Sequence, residues 1–360
     1  MTVSDYIDEI VKGLNPSVGN RPNVLLYGPP GTGKTFILQE LKAILNNGRG
    51  GASRGPTSGT LRLRRTIPDG LLDLFNPTGN PVRTWWLSFH QSVTYDDFIL
   101  GLRPITSASG TLELQPRAGP LFEAMEHAKS GGTSFVFIDE INRGNLPQIL
   151  GDFITFMEYG KRLDRDGMST PDRTLSFTPP HLNVGSGTSS SGNPQSEVIR
   201  FRNNATPMPV ELTDEFGYEV PHHVYIIATM NSLDRSVAPI DSAIERRFNR
   251  IALKARPRNG EFTGYTNPSE SWNVFPNYPP LASFVEEMLN LINREIARTI
   301  ESSESWEFEI GPAVFAGIGD DWENFTYSLK YRLLPNLRKV LRNFPDELEA
   351  LVNRFGIDID

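Results

Sequence analysis

The chain has 360 residues, enough for one large core and a smaller one. Hydrophobic residues make up 38% and charged residues 22%, as in ordinary folded proteins, and the absence of cysteine excludes disulfides, thiolate metal sites and cysteine nucleophiles. A net charge of −8 argues against coating nucleic acid by bulk electrostatics, so any DNA contact must be a local patch, a pore or a partner's work.

The opening MTVSDYIDEIVKGLNPS lacks the long apolar core of a secretory signal. No run approaches the roughly 18 apolar residues of a membrane span, so the reading expects a cytoplasmic protein with no membrane contact. Five short apolar or β-branched runs predict buried strands: Asn23–Tyr27, Thr84–Phe89, Ser134–Ile138, Val224–Thr229 and Arg250–Leu253. Helical patterns lie between them, over Phe36–Leu45, Pro120–Lys129 and Leu146–Tyr159. Strands that alternate with helices and lack polar alternation predict an α/β fold, a parallel five-stranded sheet flanked by helices on both faces.

Three stretches read as insertions. Asn46–Thr60 is rich in Gly, Ser and Arg and reads as a mobile loop. Arg103–Arg117 has turn residues at its centre and predicts a small hairpin set before a helix. The third runs from about Gly160 to His223; its centre, NVGSGTSSSGNPQSE, has almost nothing to bury. Hairpin strands are expected around Thr174–Phe177 and Val198–Phe201, with a disordered tip between them. Residues 1–255 are thus expected to form the α/β domain, and 256–360 a linker (Asn259–Pro280) and a helical subdomain. In the latter, Leu281–Ile300 predicts a helix, and Tyr331–Val352 predicts helices broken at Pro335 and Pro345.

Four motifs carry chemistry. Gly28, Pro29, Pro30, Gly31, Thr32, Gly33, Lys34 and Thr35 spell GPPGTGKT between a strand and a helix, the Walker A arrangement. Its glycines let backbone N–H groups face phosphates at the positive end of the helix. Lys34 should reach the β- and γ-phosphates, and the Thr35 hydroxyl should bind Mg²⁺. FVFIDE ends in Asp139, suited to the Mg²⁺ shell, and Glu140, placed to polarise an attacking water. Two carboxylates there could also cap the next helix. In ATMNSLDRS, Asn231 at a strand end can orient the water or the γ-phosphate, while Asp234 and Arg235 could equally be a surface ion pair. AIERRF supplies Arg246 and Arg247, either a solvated helix end or a finger reaching a neighbouring subunit's γ-phosphate.

In this order the motifs resemble AAA+ P-loop ATPases. FHQSVTYDDFILGLRP, IDEINRGNLPQILGDFITFME and TMNSLDRSVAPIDSAIERRF narrow the resemblance to the McrB-type clade. The Met-Asn-x-x-Asp-Arg signature of that clade falls on Met230, Asn231, Asp234 and Arg235. The related dynein and MoxR branch carries a hairpin insert in helix 2, where Arg103–Arg117 sits. Phe308–Phe315 and Leu329–Val340 resemble the C-terminal helical lid of the group.

The resemblance implies a ring-forming NTPase, a homohexamer, with ATP or GTP bound between subunits and Mg²⁺ as cofactor. Lys34, Thr35, Asp139, Glu140 and Asn231 then act in cis and Arg246 or Arg247 in trans. Asn142 and Arg143 would face the same interface, and the signature loop with Asp234 and Arg235 would meet a McrC-like partner carrying the nuclease. The activity implied is restriction, or antiphage defence, with DNA reached through the partner or a pore. McrB proteins usually carry an N-terminal DNA-recognition domain, whereas here the Walker A strand begins about twenty residues in, which leaves open either a separate motor subunit or DNA recognition by another subunit. Two other readings are a MoxR-like ATPase remodelling protein clients and an assembly scaffold with little turnover. The MNSLDR wording speaks against the first, and intact Lys34, Asp139 and Glu140 against the second.

Other conspicuous residues have bland expectations. His90 reads as a structural hydrogen-bonding residue and Trp85 and Trp86 as one core and one interface side chain. Arg62, Arg64 and Arg65 read as a solvated strand edge, with a pore or DNA contact as the alternative, and His222 and His223 lack further metal-type ligands.

Overall fold

The computed structural model describes residues 3–15, 21–47, 81–106, 110, 112–169, 174–177, 198–202, 207–211, 218–232, 240–255, 279–302, 304–315 and 322–355. Helix α1 (Val3–Leu14) precedes β1 (Asn23–Gly28), whose run NVLLYG is almost wholly buried, as a central strand must be. Helix α2 (Lys34–Asn47) follows the phosphate-loop sequence. Next come β2 (Val82–Ser88), the short α3 (Tyr95–Phe98), β3 (Leu100–Thr106), β4 (Leu112–Ala118), α4 (Pro120–Lys129) and β5 (Thr133–Asp139). After β5 lie α5 (Leu146–Leu150), β6 (Ser176–Phe177), β7 (Val198–Arg202), β8 (Pro207–Glu211), β9 (Tyr218–Glu219) and β10 (Val224–Asn231). A one-turn helix α6 (Ser242–Glu245) leads into β11 (Asn249–Ala252). The C-terminal helices are α7 (Pro279–Ile300), α8 (Trp322–Ser328), α9 (Leu334–Val340) and α10 (Pro345–Phe355).

The expected sheet is present: five strands in the order β11-β1-β10-β5-β2, every neighbouring pair parallel. Side-chain alternation divides its two faces. Leu25, Val136, Ile138 and Ile226 pack with α4 and α5, while Val24, Leu26, Phe135, Phe137, Tyr225 and Ile227 pack with α1 and α2. The register sets Gly28 beside Asn231 and Ser88 beside Asp139, so the tips of β1, β10 and β5 end at one rim. Both neighbours of β1 are distant in sequence, and such a crossover crevice at strand C-termini is where open α/β sheets bind ligands.

The expected hairpin is β3 paired antiparallel to β4. It interrupts a helical path: α3 ends at its base, α4 resumes beyond it, and the Gly119 N–H closes the gap onto the Ile99 carbonyl at 2.7 Å. In the third insertion the expected strands exist but do not pair with each other. Ser176–Phe177 pairs with Tyr218–Glu219, and Val198–Arg202 with Pro207–Glu211, so one pair is nested inside the other. Arg162 fastens the base of this insertion; buried, it donates to the carbonyls of Phe156 and Val224, while the Leu163 N–H bonds Val220.

Two helix expectations need correction. Leu146–Tyr159 is not one α-helix: α5 stops at Leu150 and 3₁₀ turns continue from Gly151 to Met157. Gly151 has φ 49° and ψ −131°, a region costly to any other residue, and a Cβ there would lie 3.0 Å from the Tyr95 ring. Pro335 does not break its helix either. The chain stays helical from Trp322 to Val340, with a π turn over Leu329–Leu333 just ahead of the proline. A proline lacks a donor and crowds the carbonyl four residues back; the wider turn absorbs both demands. Pro345 does separate α9 from α10, as expected.

The C-terminal helices have their own apolar cluster. Val285, Met288, Leu289, Ile292 and Ile296 form one stripe of α7 and meet Leu333, Leu337, Leu341 and Val352. The Asn46–Thr60 loop beyond Asn47, Arg62, Arg64 and Arg65, the tip between β6 and β7, and most of Asn259–Pro280 lie outside the described residues.

Candidate functional site

The loop from Gly28 to Thr35 curls between β1 and α2 with φ +78° at Gly31 and +87° at Gly33. Lys34 is 6% exposed and turned onto its own loop, donating to the carbonyls of Gly28 (2.9 Å) and Pro29 (2.7 Å). Burial, opposed by the charges of Asp139 and Glu140, brings the Lys34 ammonium down to about 7. Among the described residues this buried ammonium is satisfied by two carbonyls and makes no salt bridge, which fits a place where an anion enters.

The second wall is the tip of β5. The Thr35 hydroxyl donates to both Asp139 oxygens at 3.1 and 3.2 Å. Hydroxyl and carboxylate oxygens at that separation fit Mg²⁺, which takes one or two protein oxygens and completes its shell with water and phosphate. Glu140 adopts a left-handed backbone conformation, φ 54° and ψ 49°. Its carboxylate is held on both oxygens: Asn231 Nδ2 donates to Oε1 at 3.2 Å, and Arg143 Nε lies 2.9 Å from Oε2. Thr229, in sequence one more β-branched residue of β10, is 1% exposed; its hydroxyl donates to Asp139 Oδ1 and accepts the Glu140 N–H at 3.0 Å. The signal for it was parity: Thr229 is two residues from Asn231 on one strand, so both face α2.

Gly28, Lys34, Thr35, Asp139, Glu140, Asn231 and Arg143 therefore gather at one rim. Asn142, expected at a subunit interface, is 8% exposed and donates to the Asn231 carbonyl at 3.4 Å within its own subunit. Asp234 and Arg235 lie outside the described residues. The two finger candidates differ. Arg247 is half-buried, donates to the Ala243 carbonyl at 2.7 Å and lies 3.1 Å from Glu158, whereas Arg246 is exposed at the end of α6.

The third wall comes from the C-terminal segment. The N–H groups of Gly311 and Ala313 donate to the carbonyls of Pro30 and Gly31, each at 3.3 Å. The approach is so close that a Cβ on Gly311 would sit 2.3 Å from the Gly31 carbonyl group. Asn293 on α7 holds this segment by bonding both the N–H (2.8 Å) and the carbonyl (3.0 Å) of Ile310.

Away from the rim, His90 accepts the Ser92 N–H at 3.3 Å, a local structural bond. Both tryptophans are partly buried: Trp85 donates to Glu123, and Trp86 stacks on Phe137. His222 is buried against the Tyr159 ring, and burial brings it down to about 3, so it is neutral. Among the described residues no helix is long and apolar enough to cross a membrane.

A P-loop closing a parallel sheet, with paired acids and an asparagine on adjacent strand tips, defines an AAA+ ATPase. Residues 65–248 match the AAA domain (dynein-related subfamily), and the chain belongs to that family. The match begins after Gly28–Thr35, so the reading of that loop rests on its own sequence and geometry.

Within the family the chain is similar to McrB-type proteins. It is 27% identical over 283 residues to the type IV methyl-directed restriction enzyme EcoKMcrB subunit of Escherichia coli (strain K12), covering 77% of this chain and 44% of that protein. It is 23% identical over 312 residues to the type II restriction enzyme BsuMI component YdiS of Bacillus subtilis (strain 168), covering 77% of this chain and 71% of the relative. The chain thus spans less than half the length of the Escherichia coli protein.

Proposed function

We propose that this AAA+ protein hydrolyses ATP or GTP with Mg²⁺ in a homohexameric ring, and that turnover drives or activates a McrC-like nuclease in DNA restriction. The observation that carries the hydrolytic reading is Glu140, a carboxylate at a strand tip one residue beyond the Thr35–Asp139 pair and within reach of Asn231. The restriction reading rests on the two relatives, both components of restriction enzymes.

In this reading the phosphates meet the N–H groups at the start of α2, and Lys34 leaves the carbonyls of Gly28 and Pro29 for phosphate oxygens. Thr35 and Asp139 would hold the cation, which would draw charge from the phosphate oxygens. Glu140, aimed by Asn231, exchanges its contact with Arg143 for a water and takes a proton from it as the water oxygen bonds the γ-phosphorus. The bond from that phosphorus to the β–γ bridging oxygen breaks, and nucleoside diphosphate and phosphate leave. Arg246 is the finger that reaches the next subunit's γ-phosphate, while Arg247, tied to Glu158 and Ala243, anchors its own corner. The phosphate residues do not contact the base, so the reading covers both nucleotides. DNA reaches the assembly through the partner or the ring's pore.

Phosphate release with ATP and with GTP, using Lys34→Ala as the blank, tests the core of this proposal. Glu140→Gln is expected to lose turnover by at least about a hundredfold while still binding nucleotide. Turnover unchanged in Glu140→Gln would remove the catalytic assignment.

A further inference from the structure

We infer that Thr229 is a positioning residue of the hydrolytic centre, its hydroxyl locking the Asp139 carboxylate and the Glu140 peptide into one geometry. This rests on the reading of Glu140 as the base. Thr229 is 1% exposed, so its hydroxyl is shielded from bulk water. A threonine hydroxyl has one proton to give, and here it goes to Asp139 Oδ1. The lone pairs then face the Glu140 N–H, which donates to Thr229 Oγ1 at 3.0 Å. One side-chain oxygen thereby ties together the two consecutive acids, one by its side chain and the other by its backbone.

The backbone tie matters because Glu140 sits at φ 54°, ψ 49°, where a residue with a Cβ is held only by its surroundings. Released from that conformation, the Glu140 side chain would swing away from Asn231. Strand β10 supplies both restraints from one face: Thr229 holds the Glu140 peptide, and Asn231, two residues on, holds the carboxylate. Asp139 in turn has a hydroxyl on each side, Thr35 from α2 and Thr229 from β10. Its oxygens are thus oriented before any cation arrives, the preorganisation a metal-assisted step requires.

The test compares Thr229→Val, which keeps the branched shape and loses the hydroxyl, with Thr229→Ser, which keeps the hydroxyl. Three quantities are read: kcat, nucleotide affinity with Mg²⁺ and with EDTA, and the melting temperature. Thr229→Val is expected to lower kcat by about tenfold to a hundredfold. It should also reduce the gain in affinity that Mg²⁺ confers, with affinity in EDTA within about threefold of wild type. Thr229→Ser should restore both properties to within about threefold. The inference fails if Thr229→Val keeps kcat and the Mg²⁺ gain. It also fails if Thr229→Val and Thr229→Ser lose melting temperature, affinity and rate together, the pattern of a packing defect. Since Mg²⁺-dependent affinity needs no turnover, it separates a failure of Thr229 from a failure of the Glu140 assignment, which Glu140→Gln reads directly.

Discussion

Lys34 meets its own loop before it meets a substrate. Its ammonium rests on the Gly28 and Pro29 carbonyls, and burial brings it down to about 7. Phosphate oxygens favour the protonated form and raise it again, so the bound state holds more protons than the free state above pH 7. The sign follows from linkage: affinity is flat below about pH 7 and weakens as pH rises beyond it. Calorimetry of Mg²⁺–nucleotide binding at pH 8 in buffers of different ionisation enthalpy should register uptake of about half to one proton. Uptake near zero would mean that Lys34 is already charged in the free protein. Lys34 and Thr35 could be picked out of the sequence from the GPPGTGKT pattern, and Asp139, Glu140 and Asn231 because each stands where an apolar run ends. Thr229 could not be singled out in the same way, since it looks like one more β-branched strand residue until its hydroxyl is seen between the two acids.

At the scale of elements, the continuous apolar runs were legible because parallel strands covered on both faces need no polar alternation. What escaped was local geometry set by tertiary contact. Ser176–Phe177 falls within an expected strand, but its partner Tyr218–Glu219 is two residues long, too short for a periodic signal, and lies far away in sequence. Helix α5 ends at Gly151, whose backbone conformation favours glycine and where a Cβ would come within 3.0 Å of the Tyr95 ring. Gly151→Ala should therefore destabilise the fold by about 1–3 kcal/mol in urea denaturation, by forcing an alanine to φ 49°, ψ −131°. An unchanged midpoint would mean that the segment relaxes into the continuous helix its apolar pattern first suggests. Pro335 misled in the opposite direction, because a π turn is not written in any residue pattern that precedes it.

The whole molecule brings three walls to one rim: the phosphate loop, the tips of β5 and β10, and the Gly311–Ala313 segment bonded to Pro30 and Gly31. That last contact links α7, through Asn293 and Ile310, to the loop that would hold phosphate. The fourth wall, in the proposed ring, is the neighbour's Arg246, exposed at the end of α6 while Arg247 is tied down. The most direct measurement mixes two variants that should each be inactive alone, Glu140→Gln and Arg246→Ala, and follows phosphate release. In a 1:1 mixture about a quarter of the interfaces unite an intact Glu140 with a neighbour's intact Arg246. The proposal expects turnover to reappear in that mixture. Mixed assemblies verified by native mass spectrometry that stay inactive would contradict a site completed by the adjoining subunit.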